Sequence, residues 1–266
     1  MLKLGIPIMA AGLLTLVTQL AARSIILHEL GLDASGYFQA AWAISMTYVG
    51  FVLGAMGADY FPRLTAAIDD HQQARKLVNE QTEMALLLAG PALLAMITLA
   101  PWVIHILYAG SFVPATELLR WQVLGDILKV ASWPMGFILL AMGRGGIFIG
   151  TELTWNVVYL GAIFLGIQQH GLVMAGVGFW GAYLIYYGVV ALVAARLIGF
   201  RTIWRNFLTT LLLLGAGGLI MLLAALSSGM GYIVGLLATV VAGMYSLRRL
   251  DELVDVRGWL ERRLNA

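Results

Sequence analysis

Long apolar runs, separated by short polar breaks, follow one another along the chain. Eight of the runs reach the roughly 20 residues that a helix needs to cross about 30 Å of hydrocarbon. We predict helices for all eight, because every backbone amide must find a partner inside a bilayer. Pro91, Pro101 and Pro134 fall inside three of them, where a proline is expected to kink the helix. The predicted spans of this all-α polytopic membrane protein are 4–27, 36–58, 84–107, 117–142, 146–167, 171–196, 205–226 and 230–247.

The composition agrees with this pattern, since 61% of the residues are hydrophobic and only 11% are charged. A soluble domain is about a quarter charged. The net charge of +2 is too small to indicate a nucleic-acid partner. The absence of cysteine excludes disulfides, thiolate metal sites and a cysteine nucleophile. The four histidines lack ligand spacing, and the common hydrolase and phosphate-loop motifs are missing. We therefore expect no enzyme activity, no cofactor and no metal site.

The basic residues predict an orientation. The first, third, fifth and seventh loops contain no Lys or Arg, whereas the other loops and both ends do. Basic residues concentrate on the cytoplasmic side of membrane proteins, so both termini are predicted to be cytoplasmic. In the long second loop, residues 63–84 predict a helix at the cytoplasmic surface that runs into the third span, with a solvated connector as the open alternative. The tail, 248–266, is predicted to be a short charged cytoplasmic helix.

Three basic residues lie away from the cytoplasmic side. Arg120 is near the outer end of the fourth span and close to Glu117, so it is expected to be an interface anchor or part of a local ion pair. Arg23 and Lys129 are deeper in their spans. A charge at the bilayer centre costs roughly 2.5–3.5 kcal/mol on insertion scales. Such a residue is expected to face a neighbouring helix or a watered cavity and not lipid.

Polar side chains recur on one face of several predicted helices. In the fourth span four residues fall within about 60° of one another at about 100° per residue: Gln122, Asp126, Lys129 and Trp133. Asp126 and Lys129 are spaced closely enough to pair. Similar stripes are Thr15, Gln19 and Arg23 in the first span, Glu152, Asn156 and Tyr159 in the fifth, and Trp180, Tyr183 and Tyr187 in the sixth.

These stripes predict a cavity that several helices line together. The alternative for any single residue is that it only pins two helices together, and packing is the favoured role for the aromatic stripe of the sixth span. The candidate substrate-binding residues are Arg23, Lys129, Asp126, Gln19, Gln122, Glu152 and Asn156.

Several short motifs occur together in a characteristic order. The motifs are "GLDASGYFQAAWAIS" (31–45), "DYFPRL" (59–64), "VNEQTE" (78–83), "AGP" (89–91), "APWVIHILYAGSF" (100–112) and "LRWQVLGDILKVASWPMGF" (119–137). Together they resemble the C-terminal part of O-antigen translocases, the Wzx-type polysaccharide flippases of the multidrug/oligosaccharidyl-lipid/polysaccharide exporter superfamily. The resemblance covers roughly residues 1–200.

The resemblance implies a flippase that moves undecaprenyl-diphosphate-linked oligosaccharide across the bacterial inner membrane. It also implies a fold of two six-helix lobes around a central cavity. Residues 1–200 would form the C-terminal lobe and residues 201–247 two additional helices, so the lone chain is expected to be incomplete. Its expected partners are the lipid-linked oligosaccharide, membrane lipid, a first lobe and other polysaccharide-assembly proteins.

In the implied mechanism Arg23 and Lys129 bind the diphosphate, while Gln19, Gln122 and Asn156 bind sugar hydroxyls. Asp126 holds Lys129 in place or carries a coupling proton. One alternative is a multidrug or cation antiporter of the same superfamily, which would use Asp126 and Glu152 and would have few basic residues in its core. Another is a membrane scaffold for polysaccharide assembly that transports nothing.

Overall fold

The computed structural model describes residues 2–254 of the chain. Within this range it contains eight α-helices and no strand, which confirms the all-α, multi-span class. All eight helices are long and apolar enough to cross a membrane. They are α1 (Leu2–Leu30), α2 (Leu32–Ala67), α3 (His71–Leu107), α4 (Ala115–Ala141), α5 (Gly145–His170), α6 (Val173–Ile198), α7 (Trp204–Leu226) and α8 (Ser228–Val254).

Two helices are longer than a bilayer crossing requires. α2 has 36 residues and α3 has 37, which corresponds to about 55 Å at about 1.5 Å per residue. The polar segment 63–84 is therefore helical, but it consists of the projecting ends of two spanning helices and contains no separate surface helix. A tight turn joins them, and the Asp70 side chain accepts hydrogen bonds from the N–H groups of Gln72 and Gln73 at the start of α3. The predicted tail helix begins as the end of α8, and its residues beyond 254 lie outside the described range.

α4 is the central helix of the bundle. It packs against α2, α3, α6 and α7, and its residues Leu118, Ile127 and Ile138 are completely buried. A close approach to α6 occurs at Gly125, where a Cβ atom would lie 2.7 Å from Phe179 Cδ1 and 3.0 Å from the Cα of Trp180. Because α4 is surrounded by protein, its polar residues Gln122 and Asp126 are completely buried and face other helices, not lipid.

The last two helices are firmly attached to the bundle. α7 packs on α3 and α4, and α8 packs on α3 and α7. A Cβ atom at Gly217 of α7 would lie 2.8 Å from Leu124 Cδ1, and one at Gly235 of α8 would collide with the Thr98 side chain. The division near residue 200 into a six-helix lobe and two added helices stays a prediction.

A buried carboxylate of α3 links both added helices to the bundle. The Glu83 side chain accepts hydrogen bonds from Arg205 at the start of α7 and from Arg249 Nε, at 2.8 Å, near the end of α8. Arg249 also donates to Glu252. We call Glu83, Arg205 and Arg249 the Glu83 clasp. Its contacts are charge-assisted, and hydrogen bonds of this kind are stronger than neutral ones.

Candidate functional site

A small cavity of about 110 Å³ lies in the bundle between α4, α5 and α6. This volume has room for about three or four water molecules at about 30 Å³ each. Its walls combine one basic side chain, one acidic side chain and several aromatic rings. The lining residues are Lys129, Ser132, Trp133, Glu152, Trp155, Tyr183 and Tyr186.

The ammonium group of Lys129 has few protein partners. Its Nζ atom donates a hydrogen bond to Met46 Sδ at 3.2 Å and lies 5.8 Å from the centroid of the Tyr183 ring. A thioether is a weak acceptor, whereas an ammonium group carries three donors. The ring face adds a cation–π attraction. Lys129 can therefore offer further donors to an anion in the cavity.

Glu152 provides the acidic side of the same cavity. The hydroxyl group of Tyr186 donates a hydrogen bond to Glu152 Oε1 at 2.6 Å, which fixes the carboxylate of α5 to α6. Among residues 2–254, Glu152 forms no ion pair with Lys129 within 4.0 Å. The two opposite charges thus share one cavity without neutralising each other by direct contact.

Asp126 is completely buried next to α2. Its Oδ2 atom accepts a hydrogen bond of 2.6 Å from Ser45, and its Oδ1 atom has no protein partner among the described residues. The expected direct pair with Lys129 is absent from the part of the chain that the structure describes. Instead, the two side chains contact consecutive residues of α2, because Ser45 and Met46 lie beside this face of α4.

Several other buried polar atoms in this region lack partners. Buried polar groups in proteins are nearly always hydrogen-bonded. Here neither amide atom of the fully buried Gln122 has a partner within residues 2–254, and the same holds for Trp155 Nε1, Trp180 Nε1 and the Tyr159 hydroxyl. The bundle centre therefore offers donors and acceptors that the protein itself does not use.

Asn156, by contrast, has a hydrogen-bond partner at both its amide oxygen and its amide nitrogen. Its Oδ1 atom accepts a hydrogen bond from Thr18 of α1 at 2.5 Å, and its Nδ2 atom donates to the Glu152 carbonyl oxygen at 2.7 Å. The bond from Thr18 connects α1 to α5 one helical turn from Glu152. The neighbouring Tyr159 is fully buried, and its ring stacks on Trp155 at 5.1 Å between centroids.

Gln19 and Arg23 lie on the face of α1 that meets α2. Gln19 Nε2 donates to Gln39 Oε1 at 3.5 Å, and Arg23 Nε donates to Ser35 Oγ at 3.3 Å. Neither residue lines the Lys129 cavity. At about 1.5 Å per residue, Arg23 is about 10 Å from the end of α1, while Lys129 is about 20 Å from the start of α4. The structure brings Lys129 and Glu152 together and leaves Arg23 at a different depth.

The sequence did not single out four residues that contact this site. Ser45 and Met46 sit in an ordinary stretch of α2, and nothing in their pattern indicates a partner on α4. Ser132 lines the cavity but makes only a local hydrogen bond to the Lys129 carbonyl oxygen. Tyr186 could have been found, because its spacing of three residues from Tyr183 places both rings on one face of α6.

The fold and the site together define a class of protein. Ionisable residues buried among spanning helices are rare and commonly mark solute or ion pathways. That class is a multi-span membrane protein with Lys129, Glu152 and Asp126 among the helices at its centre.

Comparisons with known proteins give this class a more specific setting. Residues 1–117 match the model of a family described as "Polysaccharide biosynthesis protein". Over 190 residues the chain is 21% identical to the lipid III flippase of Escherichia coli (strain K12) and equally to the lipid III flippase of Shigella flexneri. The match covers 71% of this chain and 44% of each relative, so the chain spans less than half the length of the curated relatives that it matches. Both relatives are flippases by name, and neither match specifies an O-antigen substrate.

Proposed function

We propose that this chain acts in a flippase for lipid-linked oligosaccharide. Its substrate would be an undecaprenyl-diphosphate-linked repeat unit of O-antigen or a related polysaccharide, carried across the bacterial inner membrane. The observation that supports this most directly is Lys129, which keeps free ammonium donors in a protein-lined cavity at the bundle centre. A diphosphate needs such a cation away from water. The orientation with both termini in the cytoplasm belongs to the same proposal.

The cavity suggests a division of roles. Lys129 acts as a point charge for the diphosphate, and Glu152 and Asp126 balance this charge when no substrate is bound. Gln122 is buried and does not line this cavity, but its amide has no partner among the described residues, and it hydrogen-bonds sugar hydroxyls when rocking of the bundle opens the centre. The polyprenyl tail remains in lipid while rocking of the bundle changes the side to which the cavity opens.

The residues of α1 contact the substrate further along the transport path. Arg23 is exposed and lies nearer than Lys129 to the end of the bundle where α1 ends and α4 begins, which is the outer end in the proposed orientation. It forms a second contact for the diphosphate along the path, and Gln19 beside it provides a polar amide. Asn156 acts indirectly, since its hydrogen bonds hold α1 against α5 next to Glu152.

A complementation experiment tests this function. The chain is expressed in a strain that lacks its own oligosaccharide flippase, alone and together with the part of a lipid III flippase that the match does not cover. In whichever of these two arrangements supports transport, wild type and Lys129→Arg are expected to restore surface polysaccharide. Lys129→Ala is not expected to restore it. Lys76→Ala is the matched control, because Lys76 is an exposed basic residue that pairs with Glu80 away from the cavity.

The outcomes separate the proposed roles. Full restoration by Lys129→Ala would remove the charged-cavity mechanism. A scaffold would be favoured by two results together. No variant restores surface polysaccharide although each is present in the membrane, and other assembly proteins are lost when the chain is absent.

A cation antiporter is the second candidate, because Asp126 and Glu152 place two carboxylates at the bundle centre and Asp126 Oδ1 has no partner among the described residues. In that case Asp126→Asn and Glu152→Gln would abolish proton-driven export of cationic dyes from vesicles, and Lys129→Ala would not. Dye export that is unaffected by either acidic substitution contradicts this candidate.

A further inference from the structure

Two arginine side chains line one open cavity at the end of the bundle where the basic residues concentrate. Arg75 comes from α3 and Arg201 from the link between α6 and α7, and the cavity measures about 520 Å³. The remaining lining residues are Ala195, Gly199 and Phe200, so no carboxylate faces this space from the described part of the chain. Two guanidinium groups that share a space without an acid between them attract an anion.

A single buried amide fixes the backbones of both arginines. Asn79 Nδ2 donates hydrogen bonds to the Arg75 carbonyl oxygen at 3.0 Å and to the Arg201 carbonyl oxygen at 3.1 Å. Its Oδ1 atom accepts a bond of 3.0 Å from the N–H group of Ile203. The link between α6 and α7 is therefore held against α3 before any ligand arrives.

The conformation of Gly199 also contributes to this arrangement. Its φ angle is +66°, which side chains other than glycine rarely adopt, and a Cβ atom there would lie 3.3 Å from Arg75 Nη1. Glycine thus leaves room for the Arg75 guanidinium beside the link.

Two other basic residues at this end of the bundle are engaged with acids. Lys76 pairs with Glu80 at 3.8 Å, and Arg205 belongs to the Glu83 clasp. Within residues 2–254, neither Arg75 nor Arg201 forms an ion pair. Two arginines without an ion pair therefore line the cavity together.

The position of this cavity indicates the source of the anion. α6 ends at Ile198 and α7 begins at Trp204, so the cavity lies where two spanning helices reach the membrane surface. Trp204 is 71% exposed, and its ring lies 5.7 Å from that of Phe207. Exposed aromatic residues of this kind belong at the level of the lipid headgroups.

We propose that Arg75 and Arg201 bind the headgroup phosphate of an anionic phospholipid. The planar guanidinium fork matches phosphate oxygens in pairs, and basic pockets between spanning helices bind anionic headgroups. The acyl chains of this lipid run beside Trp204 and Phe207. The site is separate from the Lys129 cavity, and it does not depend on the proposed transport function.

Lipid retention by the purified full chain tests the proposal. The chain is mixed in detergent with phosphatidylglycerol or with phosphatidylcholine of the same acyl chains, and bound lipid is counted by native mass spectrometry. Arg75→Gln combined with Arg201→Gln is expected to lower phosphatidylglycerol binding by about ten- to thirty-fold, because each basic residue near an anionic surface contributes a factor of about five. The matched control is Arg196→Gln combined with Arg248→Gln, which removes the same charge from exposed positions outside the cavity and should change binding less than two-fold.

A second measurement uses the wild-type protein and needs no variant. Phosphatidylglycerol is expected to protect Arg75 and Arg201, but not Arg196, from an arginine-specific reagent, as read by peptide mass spectrometry. Equal losses in the two double variants, or equal protection of all three arginines, would overturn the proposal. Displacement of the lipid by an equal concentration of inorganic phosphate would assign the site to a free phosphate and contradict the lipid.

Discussion

Arg120 Nε donates a hydrogen bond of 3.0 Å to the carbonyl oxygen of Ile97. Pro101 has no N–H group, so it cannot provide the helical donor that this carbonyl would receive from four residues later in α3. Arg120 provides a donor from α4 instead. From its sequence, Arg120 was expected to anchor the interface or pair with Glu117, but the described residues contain no such ion pair within 4.0 Å.

Replacing Arg120 should destabilise the protein more when Pro101 is present than when it is absent. Arg120→Met is expected to lower the free energy of unfolding by about 1–3 kcal/mol, because a buried carbonyl loses its partner. In a Pro101→Ala background the helix supplies its own donor, so the same substitution should cost less than half as much. A double-mutant cycle measured by chemical unfolding in detergent gives this difference. Equal costs in the two backgrounds would mean that the bond to Ile97 adds nothing.

The hydroxyl group of Tyr186 should matter for the cavity. Tyr186→Phe removes the hydrogen bond to Glu152 and is expected to lower the free energy of unfolding by about 1.5–3 kcal/mol, the range for bonds to charged groups. Tyr187→Phe is the control, since Tyr187 is the next residue and does not line the cavity. Thermal unfolding of both variants in the same detergent checks this, and a larger loss in Tyr187→Phe would count against the role given to Tyr186.

Neutralising Glu83 should loosen α7 and α8. Glu83→Gln is expected to lower the free energy of unfolding by about 2 kcal/mol. This is less than the 3–5 kcal/mol typical of broken buried pairs, because Arg205 is partly exposed. Hydrogen exchange should increase at the start of α7 and near the end of α8, where Arg249 lies. Glu80→Gln provides the comparison, since its partner Lys76 is exposed. Similar exchange in both variants would show that the Glu83 clasp does not hold these helices.

The close contact between α4 and α6 predicts opposite effects of two glycine substitutions. Gly125→Ala places a methyl group against Phe179 and the backbone of Trp180, and overpacking of this kind costs about 1–3 kcal/mol. At Gly181 on α6, a Cβ atom has open space, so Gly181→Ala should be neutral or stabilise the helix by about 0.5–1 kcal/mol. The unfolding temperatures of both variants and the wild type, measured under the same conditions, test this prediction. A Gly125→Ala protein that unfolds at the wild-type temperature would contradict the close approach of α4 and α6.

The predicted orientation can be tested with single cysteines, because the chain has none of its own. Ser111 and Gln73 are both exposed and lie at opposite ends of α3 and its flanking turns. Ser111→Cys should react with a membrane-impermeant maleimide in intact cells, and Gln73→Cys only after the cells are permeabilised. The reverse pattern would place the basic end of the bundle outside the cytoplasm.

The sequence by itself determined the class of the protein and the number of its long helices. Crossing a bilayer requires about 20 apolar residues and a backbone that satisfies its own hydrogen bonds, and both are local properties of the chain. The same local periodicity placed Gln122, Asp126 and Lys129 on one face of α4. It also put Glu152 in the set of candidate residues before its neighbours were known.

Only the tertiary structure decided which partner each polar side chain has. Asp126 contacts Ser45, Lys129 shares a cavity with Glu152, and Arg23 lies apart from both of these pairs. Such contacts depend on how each helix is rotated and where helices cross, and these are set by packing between residues far apart in sequence, as at Gly125 and Phe179. No local pattern contains that information.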